Sequence, residues 1–198
     1  EGFVLQELHP AWPHGARCFA VPTVHRVPSQ GYVFSLTRPP KFDPDKAKAM
    51  GIPVSDWKKI LGDPAAPIER EGRPLLREGR PVSGYSLMGE ARKGLRVVFS
   101  GDTQPCDALC AAASGAALLI HDATYGEDSQ EDQALLYGHS TFRQAAAFAA
   151  QARVKHLWLT HFSQMLRTPE ACLANAQALF PNTQCAHDGL SAELRFAD

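Results

Sequence analysis

Acids and histidines recur along this chain in short clusters, each set against an apolar run. Ser100-Gly101-Asp102-Thr103, His121-Asp122-Ala123-Thr124 and Thr160-His161-Phe162-Ser163 each follow a stretch of strand-forming residues. His25 follows another, and Gly138-His139-Ser140-Thr141 stands just ahead of a helical segment. Taken singly these are weak signals. A His beside a strand is more often a hydrogen-bonded scaffold residue than a ligand, and Gly-Asp-Thr is common as a turn because Asp bonds its own backbone. Taken together they point to chemistry. Imidazoles and carboxylates gathered at strand ends suit zinc or manganese, which take N and O donors and leave a water position open for hydrolysis. His139, near the positive end of a helix dipole, is placed to meet negative charge.

The elements that must position these residues can be read from the flanking sequence. Arg17 to Val24 and Gly31 to Leu36 are rich in β-branched and aromatic residues and read as two strands around a turn at Pro28-Ser29-Gln30-Gly31. From Arg38 to Gly94 the texture changes to frequent Pro, Gly and charge, with one convincing helix opened by Asp43-Pro44 and ended by Gly51-Ile52-Pro53. Such a stretch should project rather than join a core. Beyond Gly94 the rhythm is regular. Strands are expected at Leu95–Phe99, Ala117–Ile120 and His156–Thr160, with terminal strands near Gln184-Cys185-Ala186 and over Ala192–Phe196. Helices are expected at Pro105–Ala113, at Thr141–Arg153 capped by Ser140, and after Thr168-Pro169-Glu170, with Gly126–Gly138 as a polar loop. Strands alternating with helices define an α/β fold of βαβ units, and the clusters then fall at C-terminal strand ends, the edge where such sheets assemble sites. No internal repeat is evident.

Composition sets bounds on partners and compartment. With 198 residues, 44% of them apolar, the chain can bury a sizeable core as one domain. No apolar run is long enough to span a bilayer and no leader pattern opens the sequence, so the reading is cytoplasmic with no membrane contact. The five scattered cysteines form no C-x-x-C pair, which favours reduced and mostly buried thiols. The net charge is −1, but residues 38–96 hold 13 of the 20 Lys and Arg and only 8 of the 21 Asp and Glu. A basic segment in an acidic body is a candidate phosphate-binding appendage or a solvated loop.

Seven motifs occur here in one order. They are Val24-His25-Arg26-Val27-Pro28-Ser29-Gln30-Gly31-Tyr32, Asp45-Lys46-Ala47-Lys48-Ala49-Met50-Gly51-Ile52-Pro53, Gly101-Asp102-Thr103, His121-Asp122-Ala123-Thr124, His139-Ser140-Thr141 with Gln144-Ala145-Ala146, Leu159-Thr160-His161-Phe162-Ser163, and Ala186-His187-Asp188-Gly189. This set resembles ribonuclease Z, a tRNA 3′-endonuclease of the metallo-β-lactamase superfamily, from about Val21 to Glu193. The resemblance implies the C-terminal half of a metallo-β-lactamase αβ/βα sandwich, formed by residues 1–37 and 94–198, with a projecting basic arm at 38–93. It implies that His25 binds a first metal, Asp102 bridges two, and His161 binds the second, the ions being zinc with manganese as an alternative. By the same resemblance His139 donates a proton to the leaving 3′-oxygen, and Asp122, where the family usually has Glu, orients His139. The arm would grip precursor tRNA, with Lys46, Lys48, Lys58 and Lys59 meeting its phosphates, and the enzyme would be a homodimer. The activity implied is phosphodiester hydrolysis by a hydroxide activated by two zinc ions.

Two departures bear on this reading. After Gly51-Ile52-Pro53 the family continues with a Pro-Gly-Pro-like turn, whereas Val54-Ser55-Asp56-Trp57-Lys58-Lys59 stands here. The H-x-H-x-D-H segment that supplies most ligands in the family does not occur in these 198 residues. Three ligands cannot hold two ions, so the expectation is a chain that works with a missing N-terminal half and is inactive alone. The first residue, Glu rather than Met, favours a fragment over a truncated gene product. Two other readings stay open: a different phosphodiesterase or small-ester hydrolase of the same fold, and a non-catalytic fragment that binds RNA or another subunit. His9, His14, His156 and His187 are not expected to be ligands, and Trp57 and Trp158 are read as packing residues.

Overall fold

Apolar runs too short for helices become the strands of one seven-stranded sheet in the computed structural model, which describes residues 6–7 and 15–196. The chain enters through β1 (Gln6–Glu7), β2 (Ala16–Pro22) and β3 (Gln30–Arg38), antiparallel in turn. A separate segment then carries α1 (Pro44–Ala49), α2 (Val54–Gly62) and the short strands β4 (Glu69–Arg70), β5 (Arg73–Pro74), β6 (Leu76–Arg77) and β7 (Arg80–Pro81). The sheet resumes with β8 (Arg92–Phe99), α3 (Asp107–Ala113), β9 (Leu118–Asp122), α4 (Glu131–Tyr137), α5 (Phe142–Gln151), β10 (Leu157–Thr160), α6 (Leu173–Gln177) and β11 (Thr183–Cys185). Strand order is β1-β2-β3-β8-β9-β10-β11, and β8 through β11 run parallel.

The parallel strands sit at the centre of the core. β9 reads Leu118-Leu119-Ile120-His121-Asp122 with almost every side chain buried, as strands covered on both faces do. Val98, Leu119, Leu157 and Leu159 pack against Leu109 of α3, Phe142, Phe148 and the alanine face of α5, and Ala176 of α6. Small residues on α5 let that helix lie close to the strands. His121 points into this core against the Phe148 ring, 4.8 Å between centroids, and burial lowers its pKa.

The chain divides into two compact units, Glu1–Thr37 with Gly94–Asp198, and Arg38–Lys93. The second has its own small core of Ala47, Ile52, Ile60, Ile68, Val82 and Leu87, flanked by Trp57 against Phe42 at 5.1 Å between rings. Asp43 caps α1 by accepting from the Asp45 and Lys46 amides.

Several elements differ from the sequence reading. α2 follows Pro53 directly and buries Ile60, although its charge made it read as loop. Two hairpins were also missed. β4–β5 turns through Glu71-Gly72 and β6–β7 through Glu78-Gly79, all four residues at positive φ between 53° and 76°, the type I′ geometry of two-residue hairpins. Both sit in the same five residues, Arg-Glu-Gly-Arg-Pro at 70–74 and again at 77–81, which is an internal repeat. The stretch expected as a polar loop holds α4, whose seven residues bury only Ala134 and so give no apolar stripe to read. Thr141, not Ser140, caps α5: it accepts from the Gln144 amide while the Gln144 side chain accepts from its own, a capping box. Ser140 is buried instead, donating to the Thr103 carbonyl. No strand forms over Ala192–Phe196, where most side chains are exposed.

Candidate metal centre

Three loops at the C-terminal ends of β8, β9 and β10 bring Asp102, Asp122 and His161 together, with His25 and His139 beside them. His161 Nε2 lies 3.4 Å from the Asp102 carboxylate. The His139 ring is 4.7 Å from that of His25 and 5.0 Å, stacked, from that of His161. His156 sits at the other end of β10 and His187 beyond β11, both outside this group, while His9 and His14 lie outside the described residues. Trp158 is half-buried on β10.

Hydrogen bonds settle what each imidazole can do. His25 Nδ1 is 2.9 Å from the Gly138 carbonyl, which only accepts, so Nδ1 carries the proton. His139 Nδ1 donates to Asp122 Oδ2 at 2.7 Å. Thr124 Oγ1 gives its proton to Asp122 Oδ1 at 2.8 Å and so must accept from His161 Nδ1 at 2.9 Å. All three rings, when neutral, therefore hold a free Nε2 lone pair. This is the arrangement of metal-binding or proton-handling histidines, whose other nitrogen is fixed by a protein acceptor.

Asp122 is the hub of this support. Fully buried, its carboxylate accepts from the Thr103 and Thr124 amides at 3.0 Å each, from the Thr124 hydroxyl and from His139. One ligand atom from each of Asp122, His139 and His161 lies within 4.8 Å of the others, a spacing a cation could span. Yet both Asp122 oxygens already meet two donors apiece, so the carboxylate free for a metal is the half-exposed Asp102. The donor set Asp102, His161 and His25 fits a divalent cation in kind, N and O donors on one edge. Three such donors fall short of two ions' coordination.

Backbone detail holds the loops in register. Gly101 has φ +63°, and a Cβ there would come within 2.7 Å of the Gln30 carbonyl. Thr103 Oγ1 accepts from the Val24 amide, tying the His25 loop to the Asp102 loop. Ser100 Oγ accepts from the Asp122 amide at 2.8 Å. His161 itself has φ +61°, a left-handed conformation that costs a non-glycine residue about 1–2 kcal/mol and is retained here at the site.

In the Arg38–Lys93 unit, the four lysines expected to meet phosphate are mostly engaged on the surface. Lys46 donates to the Met88 carbonyl at 3.0 Å, Lys48 pairs with Asp45 at 3.6 Å, Lys59 pairs with Glu69 at 3.5 Å, and Lys58 has no partner among the described residues. The hairpins supply what the sequence reading missed. Arg70 faces Arg73 across one turn and Arg77 faces Arg80 across the other, all exposed and without ion-pair partners among the described residues. Like charges directly opposite destabilise a hairpin, so two such pairs need a compensating anion to be favourable. The repeated Arg-Glu-Gly-Arg was the signal that could have found them.

The parallel sheet edge thus gathers fixed imidazoles and a half-exposed carboxylate, and comparison places the chain in a family. The profile described as Beta-lactamase superfamily domain matches residues 62–162, half of the sequence, and the chain belongs to that family, whose members use divalent metal. Its similarity is to ribonuclease Z. It is 39% identical over 174 residues to Ribonuclease Z of Lachnospira eligens, covering 88% of this chain and 54% of that protein. It is 36% identical over 183 residues to Ribonuclease Z of Methanothermobacter thermautotrophicus, covering 92% and 56%. The chain thus spans about half the length of the curated relatives it matches. Among solved structures it shares its fold with the metallo-beta-lactamase fold protein YhfI from Bacillus subtilis, at TM-score 0.54 and 15% identity over 93% of this chain and 51% of that one. Human tRNase Z, short form, gives TM-score 0.50 at 21% identity, covering 93% and 46%. No helix among the described residues is long and apolar enough to cross a membrane.

Proposed function

We propose that this chain contributes half of the active site of a metal-dependent endoribonuclease that removes the 3′ trailer of precursor tRNA. The observation that carries the reading is the set of three neighbouring imidazoles, each fixed at Nδ1 and free at Nε2, with His161 Nε2 3.4 Å from the Asp102 carboxylate. In this reading Asp102 and His161 hold one divalent cation, Asp102 and His25 another, and the ions are zinc. Bound there, the cations supply an activated water and neutralise the phosphodiester. His139 would first take up a proton from solvent at Nε2 and then deliver it to the leaving 3′-oxygen, returning to the neutral ring, with Asp122 on Nδ1 holding the tautomer and stabilising the charged form.

The remaining ligands are proposed to come from a separate N-terminal half that carries an H-x-H-x-D-H segment. The sheet offers a place for them. The face of β2, β3 and β8 carries a groove of about 300 Å³ whose lining includes Leu36, Leu95 and Val97 beside Arg17 and Ser35. Apolar area of this kind is what the second layer of a sandwich covers. Homodimer assembly of the completed enzyme is part of the same proposal. The Arg38–Lys93 unit would bind phosphates of the tRNA.

The test is complementation. The chain is mixed with the N-terminal half of the Lachnospira eligens ribonuclease Z and zinc, then assayed on precursor tRNA. Expected is cleavage at the 3′ trailer by the pair and none by the chain alone, abolished by Asp102→Ala or His161→Ala. Bound zinc should fall in the same variants. Cleavage indifferent to Asp102, or confined to small esters, would refute the tRNA reading.

A further inference from the structure

A cavity of about 550 Å³ opens beside His25 and His139, walled also by Arg26, Thr124, Tyr125, Gln133 and Tyr137 and not by Asp102. Its chemistry differs from that of the metal donors. The Arg26 guanidinium lies over the Tyr137 ring, 5.3 Å from the centroid, and has no hydrogen-bond or ion-pair partner among the described residues. A guanidinium stacked on an aromatic face keeps its planar fork of N–H donors free at the edge, aimed and with little rotational freedom left to lose. Gln133 and Tyr137 are four residues apart on α4 and so share one helix face, and both reach the cavity. The Gln133 amide, a paired donor and acceptor, likewise has no partner among the described residues. On the opposite wall Tyr125 stands edge-on to His139, 6.5 Å between ring centroids.

One helix thus carries two groups suited to a nucleobase, and its end fixes the metal site. α4 terminates at Gly138, in the left-handed region at φ +77°, whose carbonyl holds His25 Nδ1, and His139 follows at once. We propose that this cavity is the subsite for a single nucleotide flanking the scissile phosphate: its base packs against the Tyr137 and Tyr125 side chains, Gln133 bonds the base edge, and Arg26 pairs with the next phosphate. An amide beside aromatic rings is the combination that reads a base edge, and a stacked Arg is the one that takes a phosphate bidentately. The cavity is contiguous with His139, so a phosphodiester at that imidazole leads its neighbouring nucleotide into this space. This assignment rests on the phosphodiesterase reading given above.

Binding to the metal-free full chain tests the subsite without any cleavage. Adenosine 5′-monophosphate, ribose 5-phosphate and inorganic phosphate are titrated by NMR, following the Tyr and Gln side-chain signals. Expected is adenosine 5′-monophosphate binding at least about tenfold tighter than ribose 5-phosphate, with Tyr137→Ala removing that advantage and Tyr137→Phe keeping it. Arg26→Ala should weaken both sugar phosphates, and Gln133→Ala should weaken the nucleotide alone. These positions are exposed, so the variants should fold, which their melting curves verify. Equal binding of the nucleotide and ribose 5-phosphate, or nucleotide binding unmoved by Tyr137→Ala and Arg26→Ala, overturns the subsite. If complementation gives no tRNA cleavage but these affinities hold, the function reading falls and the nucleotide site stands. If cleavage occurs while Gln133→Ala and Tyr137→Ala leave nucleotide preference beside the cut unchanged, the subsite alone falls.

Discussion

Asp122 shows how much of this site rests on one carboxylate that touches no substrate. Three of its four donors are buried and the fourth, on His139, partly so, and Asp122→Ala strands two amides, a hydroxyl and an imidazole at once. A loss of about 3–5 kcal/mol is expected in denaturant unfolding, the range for breaking a buried, charge-bearing network. Asp122→Asn is the finer experiment. Its amide group can no longer accept from all four donors, so His139 should lose the Nδ1–H tautomer, visible in imidazole ¹⁵N shifts, and cleavage by the complemented enzyme should drop by roughly 10³–10⁴, the scale of effect when a catalytic imidazole is held in the wrong tautomer. Asp122→Glu, the family's usual residue, should not be neutral. The extra methylene enters a fully buried position whose partners already sit at 2.7–3.0 Å, at a cost of about 1–3 kcal/mol. The buried His121 next to it adds a pH dependence of its own. Burial holds its folded pKa below the ordinary imidazole value of 6.5, so below that pH the unfolded chain takes up a proton that the folded chain refuses. Stability should therefore fall as pH drops below about 6.5, by at most about 1.4 kcal/mol per pH unit, and His121→Phe should flatten the slope of melting temperature against pH.

At the scale of elements, the short α4 does more for the site than its sequence announces. Its C-terminal Gly138 is in the left-handed region, and a Cβ there would stand 2.8 Å from both His25 Nδ1 and the Arg26 amide. Gly138→Ala should thus combine backbone strain of about 1–3 kcal/mol with displacement of His25. A melting curve reads the first, and a zinc titration of the complemented protein, weaker at one site, reads the second. The chemistry-bearing clusters were legible because strand ends announce themselves: β-branched and apolar runs stop at Asp102, Asp122 and His161. Two kinds of element were not. α4 buries a single residue and offers no apolar stripe, and α2 spaces Val54, Trp57 and Ile60 at helical intervals but over only nine residues with charges between them. The Thr141 cap was misread as Ser140 because both are good capping residues and only the chain's path decides which one turns away to bond Thr103. The hairpins escaped because their strands are two residues long, too short for any alternation to register.

At the scale of the whole chain, two compact units carry separate demands, holding the candidate metal site and supplying positive charge. Sequence alone located the basic stretch but chose its lysines, and three of those four are already bonded within the unit. Exposed pairs of this kind are worth little and yield readily to a phosphate, so the lysines are not eliminated; the unpartnered arginine pairs are simply better poised. This sets up a comparison between two quadruple variants of the complemented enzyme. If each arginine pair meets RNA phosphate, Arg70→Gln, Arg73→Gln, Arg77→Gln and Arg80→Gln together should raise KM for precursor tRNA strongly and leave hydrolysis of a small phosphodiester nearly unchanged, since only binding remote from the reacting atoms is weakened. The corresponding change at Lys46, Lys48, Lys58 and Lys59 should act in the same direction and less. Salt dependence discriminates further, because each RNA phosphate left without its cation lowers the slope of log affinity against log salt by about 0.7–0.9. A drop in slope of about two or more in the arginine variant, against about one or less in the lysine variant, is the expected result. Equal slopes would return the role to the lysines, and an equal loss on both substrates would mean that the Arg38–Lys93 unit is structural and the small-ester reading is to be preferred.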